Sequence, residues 1–479
     1  MRCTLIFVCL LGISGLVRVV SGAPDNPALG LHLKTHLHEA SGTEIRAGSF
    51  GVYEDRERGA GRVLRLDVVV LPATGARRPD PVFILSGGPG VSAAQQWRQY
   101  VSHWMREHRD IVLVSQRGTG GNNRLLCPIP GAEEDPQRYL EPYFDAEMFR
   151  SCLEDLAARF DLRHYSTSTA MDDLDDIRAA LGYETINLYG GSYASRAILV
   201  YLRRHAGSAR CAVLNSVAPI SFTNPLYHAW AAERTLGMII DECAADPACN
   251  ERFGDLRATL DGVLADLEEA PAPATVTHPV TGALTRVLIS RDGFAEAVRF
   301  GMYTNISDVP LIIDRAAKGE FDLIAQRGVD QARWIESSLA SGMLLCVTCG
   351  EDVSRIDPAD IDELTRDTFL GDSRVRRQMA ICEFWPDSIV PEDYGLPVAV
   401  DTPVLLFSGT HDAVTPPRWG EEAARHLPNS LHVIAPGTHG LGGPCVDGMM
   451  RNFLESGSVD GLDTSCVESM RLPPYSLRD

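Results

Sequence analysis

The amino-acid sequence predicts an α/β protein, in which a mostly parallel β-sheet is covered by helices and a helical cap is inserted before the last strands. Three observations carry this expectation. Short apolar, β-branched runs recur at 63–71 (VLRLDVVVL), 82–86 (VFILS), 111–114 (IVLV) and 186–189 (INLY), with turn-forming residues after them. Helical patterns fill the intervals at 93–108 and 146–160, and in AMDDLDDIRAALGY, where Met171, Leu174, Ile177 and Leu181 fall at spacings of three and four. After a mainly helical, Pro-broken stretch, strand signals return at 402–410 (TPVLLFSGT) and 430–440 (SLHVIAPGTHG). Strands apolar throughout, alternating with amphipathic helices, imply a sheet buried on both sides.

Taken in chain order, residues 1–23 have the form of an export signal: Arg2, an apolar run from Leu5 to about Val17, then the small residues Ser21, Gly22 and Ala23. Arg18 interrupts a run already short of the roughly 20 apolar residues that a membrane span needs. Residues 24–219 form the first part of the sheet domain, 220–395 the inserted helical cap, and 396–479 the remainder of the sheet domain. A cap in that position can roof a site at the strand ends.

The 479-residue chain is acidic, with a net charge of −20 that becomes −22 when Arg2 and Arg18 leave with the signal. Such a charge repels nucleic acid and anionic membrane surfaces and argues against both as partners. Ten of the 12 cysteines lie beyond residue 23, which in a secreted or periplasmic protein suggests disulfides. Cys127 with Cys152, Cys243 with Cys249, and Cys445 with Cys466 are plausible local bridges, and Cys346 or Cys349 could reach Cys382. The Cys-x-x-Cys of Cys346 and Cys349 has no second ligand pair at zinc-site spacing, so no metal and no cofactor are expected.

The chemistry centres on LYGGSYASRAILVY, residues 188–201. A strand, then Gly190-Gly191-Ser192-Tyr193-Ala194, then a helix-forming run is the sequence pattern of a nucleophile elbow, whose sharp turn needs small residues two before and two after the serine. A serine hydroxyl needs a base to take its proton, and in this architecture an acid and then a histidine should follow further along the chain. Asp412 in GTHDAVTPP and His439 in PGTHG both lie just past later strands and are the candidates; His411 is a rival base. LSGGPGVSA (85–93) offers Gly87 and Gly88, with Tyr193, as backbone donors of an oxyanion hole. Arg117 reads as a buried structural partner, and the acids Asp172, Asp173, Asp175 and Asp176 as a helix start that favours negative charge.

These motifs, with GSFGVYEDR, VSQRGTGGNNRLLC and DDLDDIRAALGYETINLYGGSYASR in the same order, resemble the α/β-hydrolase peptidases of the tripeptidyl and prolyl aminopeptidase group from about residue 46 to the end. The resemblance implies the α/β-hydrolase fold with a C-terminal segment of the tripeptidyl aminopeptidase type, and a secreted serine exopeptidase acting on peptide N-termini. It carries nucleophile, acid and base onto Ser192, Asp412 and His439, and bridges onto Cys127–Cys152, Cys349–Cys382 and Cys445–Cys466. Three positions depart from the family pattern: Ser86, Ser115 and Ala194. An exopeptidase must also hold an α-amine, for which Glu351, Asp352 and Glu242 in the cap are the candidate carboxylates. A carboxylesterase, or a silent peptide-binding homologue, are the competing readings.

Overall fold

A computed structural model describes residues 26–478; the export signal expected over 1–23, with Cys3 and Cys9, lies outside them. A nine-stranded sheet forms the frame. Its strands are β1 (Gly30–His38), β2 (Thr43–Tyr53), β3 (Val63–Leu71), β4 (Val82–Ile84), β5 (Ile111–Val114), β6 (Ile186–Ser192), β7 (Ala209–Val217), β10 (Val404–Gly409) and β11 (Ser430–Ala435). They lie in the order β1-β2-β3-β5-β4-β6-β7-β10-β11. From β5 to β11 neighbouring strands are parallel, whereas β1, β2, β3 and β5 pair antiparallel.

The central parallel strands β4 and β5 are apolar at every position because both faces are covered. In β5, Val112 and Val114 enter one core while Ile111 and Leu113 enter the other; in β10, Val404 and Leu406 oppose Leu405 and Phe407 in the same way. β1 and β2 were not foreseen. GLHLKTHLH has a mostly exposed or half-exposed pattern with little apolar contrast between its faces, so the strand signal is weak at this sheet edge. The helix expected over 93–108 is instead two short 3₁₀ segments, Ala94–Tyr100 and Trp104–Glu107, separated where His103 turns extended and its ring accepts from the Met105 amide.

Between β7 and β10 the chain leaves the sheet and returns to the adjacent position. This stretch is not wholly helical: β8 (Ala272–Thr277) and β9 (Leu284–Ile289) form an antiparallel hairpin. It also does not pack as one unit. His228–Ala245, Leu256–Glu269 and Arg291–Thr304 surround a core of their own that includes Leu236, Leu260 and Val298, but Leu339 to Cys349 pack into the core beneath the sheet. The run SGMLLCV is buried at all seven positions, too apolar for a roof facing water.

Four cysteine pairs stand at bonding distance: Cys127–Cys152, Cys243–Cys249, Cys349–Cys382 and Cys445–Cys466. Cys211 and Cys346 are buried free thiols. Among the described residues no helix is long and apolar enough to cross a membrane.

Candidate active site

The chain turns from β6 into the helix Tyr193–His205 through Ser192, whose φ of 57° and ψ of −132° lie outside the ordinary regions for a non-glycine residue. The bend brings Ala194 so close to Gly190 that a Cβ on Gly190 would stand 2.6 Å from the Ala194 Cβ. One methyl therefore fits and a second does not, which explains how Ala194 replaces the usual glycine without disturbing the turn. Ser195 ties the turn down, donating to the Ser192 carbonyl at 2.6 Å and accepting from the Ala218 amide at 2.8 Å.

The acid and the histidine arrive on the loops after β10 and β11. Asp412 is fully buried, and its two oxygens stand 3.0 and 2.9 Å from His439 Nδ1. The amides of Val414 and Thr415 donate to Asp412 Oδ1 at 2.8 Å each, and the Thr415 hydroxyl donates to Oδ2 at 3.0 Å. Burial alone would raise the Asp412 pKa, but His439 and these amides outweigh it and hold the carboxyl below the usual aspartate value. The ionised acid thereby fixes Nδ1 of His439 as the donor and leaves Nε2 for a reacting group.

Residues that the sequence reading missed hold the histidine loop. Asn215 donates to the Leu441 carbonyl at 2.7 Å and accepts the Leu441 amide at 3.0 Å, while Ser216 Oγ accepts the Gly440 amide at 2.7 Å. Both sit at the end of β7, and Ser216 has a φ of 51°. The signal for Thr415 was present, since an Asp followed three residues later by Thr is a self-capping turn. The pairing of Asn215 with Leu441 spans 226 residues and has no local signature.

Ser192, His439, Gly87, Gly88 and Tyr193 line one cavity of 660 Å³. A Cβ on Gly87 would lie 3.2 Å from the Ser192 Cβ, so the glycine loop closes directly against the serine. The variant Ser86 donates to Gln96, and Ser115 pairs with Ser92, each satisfied locally. His411 is turned away: its Nε2 contacts Glu242 at 2.9 Å and its Nδ1 contacts Thr410.

The three carboxylates expected to meet an α-amine are otherwise engaged. Glu351 is buried beneath the elbow, accepting from the Thr167 amide at 2.5 Å, the Thr167 hydroxyl at 2.7 Å and the Tyr394 hydroxyl. Asp352 borders the cavity, but both its oxygens bind Arg196, and Arg355 is a second partner. Glu242 is outside the cavity lining and joins His411 to Tyr475. The reason is the packing of the 339–352 stretch into the main core, which turns those acids inward. Asp292 and Glu296, from the helix Arg291–Thr304, line the cavity instead.

Arg117 is fully buried and bonds both oxygens of Asp173. The acidic run is not a helix start: Ser166 caps the helix Thr167–Ala180, and Asp172 and Asp175 pair inside it with Arg204 and Arg178. Among the described residues no group of three or more His, Cys, Asp or Glu side chains is arranged to hold a metal ion.

The strand order and the strand-end site define an α/β hydrolase, and the family described as alpha/beta hydrolase fold matches residues 80–238. More particularly, residues 367–466 match the family described as TAP-like protein, so the α/β-hydrolase fold carries a C-terminal segment similar to that family. It is 23% identical to a protein named serine protease Hip1 from Mycobacterium tuberculosis, over 94% of both chains. It is 26% identical to a tripeptidyl aminopeptidase from Streptomyces coelicolor over 88% of this chain and 83% of the relative, and 23% identical to a carboxylesterase B from Mycobacterium tuberculosis over 90% and 86%. A solved proline iminopeptidase from Mycobacterium smegmatis superimposes with a TM-score of 0.40 at 15% identity, covering 86% of this chain and 95% of the other.

Proposed function

We propose that the protein is an exported serine aminopeptidase that cleaves short peptides from their N-terminal side through an acyl-enzyme on Ser192. The observation that carries this reading is the His439–Asp412 pair, braced by Thr415, opening into the same cavity as a serine on a strained elbow. The names of the two peptidase relatives support an amide substrate, and four disulfides support an oxidising compartment.

Ser192 Oγ attacks the scissile carbonyl carbon as His439 Nε2 takes its proton, and the carbonyl electrons move to oxygen. The Tyr193 amide and the amides of the Gly87-Gly88 loop meet the oxyanion, at the positive end of the helix that follows. Asp412 stabilises the imidazolium that forms. Collapse of the intermediate breaks the C–N bond, and His439 returns the proton to the departing amine. Water then enters, loses its proton to His439, and releases the acyl group while Ser192 regains its hydrogen. Asp292, which lines the cavity, supplies negative charge for the substrate α-amine.

Aminoacyl, prolyl and tripeptidyl anilides, assayed beside simple esters and N-blocked peptides, test the reading. Hydrolysis of free-amine anilides, abolished together with fluorophosphonate labelling in Ser192→Ala, is the expected result. Labelling with ester cleavage alone would make the protein an esterase, and a folded protein that neither labels nor cleaves would be a binding homologue.

A further inference from the structure

The cavity also contains positive charge, which a substrate α-amine does not call for. Arg299, fully buried, donates to Glu296 at 2.9 Å and to the Tyr303 hydroxyl at 2.9 Å. Glu296 is thus already balanced by one guanidinium. Arg374 borders the same cavity and packs over the Phe144 ring, yet among the described residues no carboxylate lies within ion-pair distance of it, and its Nε is buried with no hydrogen-bond partner. His228 is 6% exposed and lines the cavity, and its Nδ1 is likewise buried without a partner. Burial, together with Arg374, Arg299 and His439, holds His228 well below the usual histidine value, so its ring is neutral and one nitrogen is free to donate. Burial and Arg299 also disfavour the Arg374 charge, and Glu296, beyond ion-pair distance, offsets them only in part. Buried donors of this strength cost stability unless a partner arrives.

That partner must be an anion close to the reacting bond. Tyr303, which Arg299 holds, packs its ring edge-on against His439 with centroids 5.2 Å apart. A planar carboxylate matches the fork of a guanidinium, and its charge meets in Arg374 a cation with no ion-pair partner at contact distance among the described residues. We propose that Arg374, Arg299 and His228 form a carboxylate-binding subsite, selecting peptides that present an acidic group beside the scissile bond. This rests on the peptidase reading. The carboxylate has two chemical sources, an acidic side chain on the acyl side or the free C-terminus of a short leaving peptide.

Two shape-matched substrate pairs separate these sources: tripeptidyl anilides carrying Glu or Gln, and tetrapeptides with a free or amidated C-terminus. The wild-type protein should prefer the acid by about tenfold or more in kcat/KM in one pair, since one charged hydrogen bond is worth at least that factor. Arg374→Gln should reduce the preference to within about twofold, and Arg374→Lys should restore part of it. Labelling of Ser192 by an uncharged fluorophosphonate reports whether each variant is folded, and the wild-type preference needs no variant at all. Equal cleavage within both pairs, or a preference undiminished in a labelled Arg374→Gln, overturns the subsite alone. A wild-type protein that labels but cleaves no peptide overturns the peptidase reading and the subsite with it.

Discussion

The loops at the strand ends and the stretch inserted between β7 and β10 build the same cavity by different means. At the strand ends, backbone geometry does the positioning: Ser192 is projected by its turn, Asp412 is gripped by two amides, and the His439 loop is pinned by Asn215 and Ser216. In the inserted stretch, side chains from separate helices meet across the space, as Glu296, Arg299 and Tyr303 do with Arg374. On the proposed function, the first region serves one reaction. The second can change its charge without altering the reaction, which is how one fold serves many substrates.

Substitutions can break this contrast. Ser192→Ala has the largest expected effect, abolishing turnover in the assays above. Asp412→Asn should come next, lowering kcat by about 10⁴-fold while leaving KM nearly unchanged, because the histidine loses its tautomer but the cavity keeps its shape. A comparable rise in KM would show that Asp412 also shapes the binding space. Asn215→Ala removes both bonds to Leu441 and lets the histidine loop shift, for an expected loss of about tenfold to a hundredfold in kcat/KM. Unaltered turnover by a folded Asn215→Ala protein would mean that Ser216 suffices. Arg374→Gln should act on substrate choice, in contrast to all three.

The smallest effect concerns stability. Burial pushes the Glu351 carboxyl above the ordinary glutamate value, despite bonds from Tyr394 and Thr167. Between that ordinary value and the raised one, the folded chain keeps a proton that the unfolded chain has lost, so stability falls as pH rises through the window. Asp412 works in the opposite sense at lower pH: its depressed value adds stability that disappears as pH falls through it. Glu351→Gln should flatten the first slope in the thermal midpoint, at unchanged KM for free-amine peptides. A raised KM would return Glu351 to the role of amine ligand.

The parts of the molecule that were readable in the sequence are those with local causes. A sharp turn needs Gly190 and a small residue at 194, buried parallel strands need unbroken apolar runs, and a strand-end loop announces Asp412 and His439. The edge strand β1 was less legible because its exposed residues carry little hydrophobic pattern, and the acids Glu351 and Asp352 were misread because their run looked like a cap surface. The TAP-like family match and the α/β-hydrolase order bear out the class expected from the motifs.

The sequence by itself therefore determined the α/β-hydrolase class and nominated three candidate reactive residues, since each depends on a few neighbouring residues and one turn. The tertiary structure alone decided which charges face the substrate. Glu351 turns into the core while Glu296, Arg299 and Arg374 converge from helices far apart in the chain, and no local pattern records a contact between side chains that only packing brings together.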